Sequence, residues 1–100
     1  MKTTNKESGI FTGNKQAFEA SNLRAVWRGG LYIVYSYGWF PLFIYNQVQD
    51  YWLENSERYS VSTSKQRGQS HPHCKTELRT LEELKDIIAC QRYQRDGQVA

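Results

Sequence analysis

The sequence lacks the features that define several large classes of protein. It contains only two cysteines, Cys74 and Cys90, which are too few for a disulfide scaffold and match a reducing cytoplasm. It has no glycine-rich phosphate loop, because its Gly29-Gly30 pair lies between two predicted strands and is typical of a hairpin turn. We therefore expect a cytoplasmic protein without a disulfide framework.

No apolar run is long enough to cross a membrane. The most apolar stretch, residues 31–45, is uncharged over fifteen residues, whereas a membrane-spanning helix needs about 20. The polar residues 2–8 lead into no apolar run, so they do not predict a signal peptide. We expect no membrane partner.

Charge of one sign is only in mild excess. The net charge of +3 permits contact with an acidic partner without requiring one. A dedicated nucleic-acid module usually has a stronger and more clustered excess. The most basic stretch is residues 58–76, which contains four cations and no acidic residue: Arg58, Lys65, Arg67 and Lys75.

Aromatic residues are abundant in the middle of the chain. Fourteen residues are aromatic, and eleven of them lie between Trp27 and Tyr59. Each ring can bury roughly 150–250 Å², so a short chain can fill a core with few aliphatic residues. We interpret these rings as core; the alternative is an exposed aromatic binding surface.

Alternation of apolar and polar residues, bounded by turn residues, predicts a sheet. The predicted strands are residues 23–28, 31–37, 40–45, 51–53 and 59–65. Residues 31–37 are apolar on both faces, which is typical of a central strand. In the last predicted strand Ser60, Ser62 and Ser64 alternate with larger residues and are expected to face water.

The period changes to that of a helix near the end of the sequence. Thr80 and Glu83 form a capping box, apolar residues follow at helical spacing, and Gly97 ends the pattern. The sequence thus predicts an α+β fold, a four- to five-stranded and mostly antiparallel sheet with one C-terminal helix on one face. We expect residues 1–9 to be frayed or disordered and residues 10–97 to form a single domain.

Few residues suit metal binding or catalysis. His71, His73, Cys74 and Cys90 lack the paired spacing of a zinc site, so we expect neither a metal nor another cofactor. A small metal-free ribonuclease could use His71 or His73 to move protons, with Arg58, Lys65 and Arg67 stabilising phosphate charge. That alternative stays open, although we favour a protein that is not an enzyme.

Several segments resemble a family of small proteins that bacteriophages, prophages and plasmids encode. The matching residues are Tyr32-x-Val34-Tyr35-Ser36-Tyr37, Pro41-Leu42-Phe43, Tyr45, Trp52, Asn55, Tyr59-Ser60-Val61-Ser62-Thr63-Ser64-Lys65 and His71-Pro72. The most specific segment is Tyr-Ser-x-x-Thr-Ser-Lys, although Ser62 and Gln66 depart from the family pattern, which has threonine and often histidine there. The resemblance carries no activity, but it implies the cytoplasm of a bacterial host.

We therefore expect an accessory protein that binds a host protein or ribonucleoprotein stoichiometrically and inhibits a defence system, of the anti-CRISPR or anti-restriction type. The alternative is nonspecific nucleic-acid binding, which basic residues and serine hydroxyls could support. The expected binding residues are Arg58, Ser60, Ser62, Ser64, Lys65 and Arg67, with Tyr59 or Trp39 as an aromatic anchor.

Overall fold

A six-stranded sheet and a C-terminal helix form an α+β fold in a computed structural model, which describes residues 2–57, 68–72 and 74–97. The strands are β1 (Phe18–Glu19), β2 (Leu23–Arg28), β3 (Leu31–Ser36), β4 (Phe40–Asn46), β5 (Tyr51–Asn55) and β6 (Glu77–Arg79). A 3-10 helix (Asn5–Glu7) and helix α1 (Ser8–Gly13) precede the sheet, and helix α2 (Leu81–Gly97) follows it.

The strands follow one another across the sheet in sequence order. Strands β1 to β5 are antiparallel neighbours, whereas β6 runs parallel to β5 with Leu53 opposite Glu77. The predicted fold class is confirmed, with one strand more than expected. Strand β6 shows no alternating pattern, because it has only three residues, Glu77, Leu78 and Arg79, and none of them is buried. The predicted strand at residues 59–65 lies outside the described residues.

Apolar residues pack in two clusters, as the two-faced apolar pattern of β3 predicts. Tyr32 and Val34 of β3 belong to the first cluster, and Leu31 and Ile33 to the second. Leu84 of α2 is fully buried in the second cluster, so the apolar stripe of the helix covers that part of the sheet. Strand β3 is therefore the central strand that the sequence predicts.

The capping box at the start of α2 is confirmed. The Thr80 amide donates to Glu83 Oε1 at 2.9 Å, and the Glu83 amide donates to Thr80 Oγ1 at 3.2 Å. These reciprocal bonds satisfy backbone donors that the first turn leaves without a helical partner. They fix where α2 begins and hence which helix residues face the sheet.

The aromatic residues divide into a buried majority and an exposed minority. Of the ten between residues 27 and 52, five are buried: Tyr32, Phe40, Phe43, Tyr45 and Trp52. Tyr35 and Tyr51 are partly buried. The interpretation of the rings as core is confirmed for these residues, whereas Trp27, Tyr37 and Trp39 remain exposed.

The residues before the sheet make hydrogen bonds to β1 and to one another. The Thr3 amide donates to the carbonyl of Glu19, and Ser8 and Thr12 are fully buried. Their hydroxyls donate to the carbonyls of Asn5 and Ser8, so they can be buried without losing hydrogen bonds.

Candidate functional site

The predicted basic surface falls almost entirely outside the described residues. Arg58, Tyr59, Ser60, Ser62, Ser64, Lys65 and Arg67 all lie in residues 58–67, which the structure does not describe. Their role in binding therefore stays a prediction. Trp39 is the one residue of the predicted set whose surroundings the structure describes, and the candidate site is built around it.

Trp39 ends the tight turn that joins β3 to β4. Ser36 pairs with Phe40, and the Trp39 amide donates to the carbonyl of Ser36 at 3.3 Å. The two central residues, Tyr37 and Gly38, have φ angles of 56° and 79°. Two positive φ angles and this hydrogen bond define a type I′ turn, whose twist matches that of the strands it joins.

Tyrosine is an unusual residue for the first central position of such a turn. The position favours Asn, Asp or Gly, because a larger L-residue in the left-handed region brings its Cβ close to the following carbonyl. The Tyr37 conformation costs of order 1–2 kcal/mol relative to glycine. Nevertheless Tyr37 is 43% exposed, so its ring is not there to fill the core.

Trp39 presents a second ring on the same turn. Its side chain is 46% exposed, and its ring packs edge-on against Phe40 with centroids 5.4 Å apart. Phe40 itself is buried, so it anchors the indole on the core while much of the ring faces solvent. We name Tyr37, Gly38 and Trp39 the aromatic turn.

The aromatic turn stands between two depressions of the surface. On one side, Trp39 borders a groove of about 180 Å³, formed with Tyr35 and Pro41 of the sheet and with Lys85, Ile88 and Ala89 of α2. On the other side, Tyr37 and Gly38 border a shallow cleft of about 310 Å³ along residues 19–24. Each exposed ring of the aromatic turn thus borders a concave surface, which suits contact with a macromolecule.

Sequence reasoning identified Trp39 but missed Tyr37 and Lys85. The sequence signal for Tyr37 was weak, because Tyr37 ends the predicted strand 31–37 and only the following Gly38-Trp39 indicates a turn. The signal for Lys85 was absent. It comes to the aromatic turn only because α2 crosses the sheet beside Pro41.

The histidine of the ribonuclease alternative ties a loop to the sheet. His71 Nε2 lies 3.5 Å from Glu54 Oε1, and the Thr76 hydroxyl donates to the same oxygen at 2.6 Å. The His71 ring also packs edge-on against the buried Phe43, with centroids 5.2 Å apart. These contacts join the residues on either side of position 73 to β5 and β4. His73 lies outside the described residues.

The two cysteines do not form a reactive or metal-binding centre in the described part of the chain. Cys74 and Cys90 are both exposed free thiols. Desolvation raises the pKa of Cys74, although the nearby charge of Lys15 opposes the shift, so its reactive thiolate form is disfavoured. Among residues 2–57, 68–72 and 74–97, no three His, Cys, Asp or Glu side chains gather as metal ligands would.

A second residue with positive φ lies at the end of α1. Lys15 has φ 55°, and the amides of Lys15 and Gln16 donate to the carbonyls of Thr12 and Phe11, the pattern of a Schellman motif. Glycine is usual at this position. Here the Lys15 ammonium lies 4.5 Å from the centroid of the Tyr45 ring, and its carbonyl accepts a hydrogen bond from Trp27 Nε1.

The far end of the Tyr45 ring is fixed by a carboxylate. Its hydroxyl donates to Asp50 Oδ1 at 2.5 Å. That hydrogen bond raises the pKa of Tyr45, with burial and the charge of Asp50 adding to the shift. Lys15 is thus held by a cation–π contact to a neutral, oriented ring, and its described contacts are structural.

Comparisons with protein-family models, with curated proteins and with solved structures find no match to this chain. The similarity to mobile-element proteins therefore stays a prediction. No helix in the described part of the chain is long and apolar enough to cross a membrane.

Proposed function

We infer that this protein binds another macromolecule stoichiometrically and that the aromatic turn is its contact surface. One observation carries the proposal: Tyr37 holds a left-handed conformation that is unfavourable for tyrosine, while its ring and that of Trp39 remain exposed. Strain of this kind is retained at functional sites when the exposed group is needed there. Tyr and Trp are also the residues that most often dominate the binding energy of protein interfaces.

The partner class follows from the resemblance to phage- and plasmid-encoded proteins. We propose a host defence complex in the bacterial cytoplasm, of the CRISPR–Cas or restriction type, which the protein inhibits by covering a functional surface. The aromatic turn supports this proposal because steric inhibition needs an exposed contact surface and no catalytic group. The resemblance, and not the geometry, supports the choice of defence systems.

The test is protection of phage from defence in cells. The test uses bacteria with an active CRISPR–Cas or restriction system. Cells that express the wild-type protein should allow more plaques of a targeted phage than cells that have the same defence system but lack the protein. The double variant Tyr37→Asn with Trp39→Ala should lose this protection. The matched control is Val48→Ser, which removes an 86% exposed apolar side chain from the β4–β5 turn and should protect like wild type.

Loss of protection in the control, or full protection by the double variant, would contradict the aromatic turn as the contact surface. If the wild-type protein protected the phage from none of the tested systems, the proposal that it inhibits a defence system would be contradicted. A binding function would then be examined by capture of host proteins on the immobilised protein, again comparing the double variant with Val48→Ser.

Nucleic-acid binding and ribonuclease activity are the alternatives, and most of the cations they would use, Arg58, Lys65 and Arg67, lie outside the described residues. Nucleic-acid binding predicts a steep loss of affinity between about 50 and 200 mM salt in a gel shift with random DNA and RNA. A ribonuclease predicts cleaved RNA and slowed growth on overexpression. If the double variant gave either result as strongly as wild type, the functional site would lie outside the aromatic turn.

A further inference from the structure

The groove beside Trp39 has a firm apolar lining. Tyr35 and Ile88, which face it, are partly buried and pack against the second core cluster. Leu84, one turn earlier on α2, is fully buried in that cluster and fixes the helix on the sheet. The floor of the groove is thus the edge of the core, so the groove exists before a ligand arrives.

The size of the groove suits one side chain. Its volume of about 180 Å³ lies below the ~300–1,000 Å³ of sites that enclose a cofactor or a drug-sized molecule. An interface anchor, by contrast, is a single apolar or aromatic side chain inserted into a pocket of the partner. The exposed rings of Tyr37 and Trp39 extend the contact surface beyond the groove.

The charge at the groove is positive. Among the described residues that line it, Lys85 is the only charged one, and it is exposed. Glu82 precedes it by three positions on α2, yet no salt bridge joins Lys85 to any carboxylate in the described part of the chain. An apolar groove with one unpaired cation at its rim complements an apolar side chain that has a carboxylate close by.

We propose that this groove binds an acidic, apolar segment of the partner protein. An aliphatic or aromatic side chain inserts between Trp39 and Ile88, and an Asp or Glu within a few residues of it pairs with Lys85. This inference rests on the proposed function and names the chemistry of the partner. A single cation and an apolar lining do not fit a nucleic-acid backbone, which needs several phosphate contacts.

The first experiment is selection from a random dodecapeptide library displayed on phage. Wild-type protein should enrich peptides with an apolar residue and an Asp or Glu within about three positions of it. Lys85→Glu should instead enrich Lys or Arg at those positions, because reversal of the rim charge reverses the complementarity. Val48→Ser should select the same peptides as wild type. An unchanged motif with Lys85→Glu, or no enrichment by wild type, overturns the proposal.

The second experiment measures the affinity of the most enriched peptide by fluorescence anisotropy. Lys85→Glu should weaken binding by about 5- to 10-fold, because it replaces the modest attraction of an exposed ion pair with a repulsion of similar size. Ala89→Trp should weaken it by 30-fold or more, because Ala89 is an exposed helix residue at the groove and a large ring there occupies the site. Unchanged far-UV circular dichroism and melting temperature show that each variant is folded.

The two proposals fail separately. If the double variant of the aromatic turn loses host-partner capture while Lys85→Glu and Ala89→Trp retain it, the groove inference is overturned and the proposed function stands. If the peptide motif appears but neither groove nor turn variants affect defence inhibition, the groove binds acidic peptides and the proposed function is overturned.

Discussion

Two tight turns of the same sheet are built from different residues. Arg28 pairs with Leu31 across the turn between β2 and β3, whose two residues are Gly29 and Gly30, with positive φ at Gly29 alone. The turn between β3 and β4 needs positive φ at two residues and uses Tyr37 for the first. The glycine turn satisfies the backbone without strain, whereas the aromatic turn retains strain to hold two rings on the surface. Selection for stability explains the first turn but not the second.

The largest effect that this comparison predicts is the loss of binding in Trp39→Ala. Removal of a central aromatic anchor typically costs 2 kcal/mol or more, which corresponds to about 30-fold in affinity. Surface plasmon resonance with the captured partner should show that loss, mainly as faster dissociation. Because Trp39 is 46% exposed, the thermal melt should change little. A loss of affinity below threefold would show that the indole is not an anchor.

The next effect is the destabilisation caused by Gly38→Ala. A Cβ at Gly38 would meet no atom within 4 Å, so the whole effect comes from its φ of 79°. We expect a loss of about 1–2 kcal/mol of unfolding free energy in urea denaturation. The matched control is Gly30→Ala in the glycine turn, where φ is not positive and a Cβ would lie 3.6 Å from Val48 Cγ2.

Gly30→Ala should change stability by less than about 0.5 kcal/mol. Equal losses in the two variants would mean that the turns do not differ in their backbone requirements. The contrast between the two turns would then have no energetic basis.

Tyr37→Asn should separate stability from function. Asparagine tolerates the left-handed region better than tyrosine, so the free energy of unfolding of this variant should be about 0.5–1 kcal/mol higher. Its melting temperature should rise by several degrees. Partner affinity should fall, because the exposed ring is lost. A variant that is less stable than wild type, or that binds equally well, would contradict the claim that Tyr37 is kept for its ring.

Much of the fold follows from local patterns in the sequence. The alternation in β2, the two-faced apolar pattern of β3, the Gly29-Gly30 turn and the Thr80–Glu83 capping box each specify their element within a few residues, and the structure contains them. Strand β6 could not be predicted in this way. Its three residues become a strand only because β5 offers them a free edge, which is information about tertiary structure.

The candidate site was predictable only in part. Trp39 can be identified from the sequence because a tryptophan beside a turn glycine is poorly placed for a core. The left-handed conformation of Tyr37 depends on the turn type, and the approach of Lys85 to Trp39 depends on how α2 crosses the sheet. Distant residues meet at the groove through packing, which no local pattern specifies.

The smallest predicted effect concerns Lys15, the other strained position with a long side chain. At the end of α1, Lys15→Gly relieves the backbone at a position where glycine is usual, but it removes the ammonium from the Tyr45 ring. Because these effects oppose each other, the melting temperature should change by less than about 3 °C. Lys15→Ala keeps the strain and loses the ring contact, so it should melt below both wild type and Lys15→Gly. The strain at Lys15 is thus offset by contacts inside the molecule, so relieving it gains little. If Lys15→Gly instead stabilised the protein as much as Tyr37→Asn, both positions would have to be interpreted as functional.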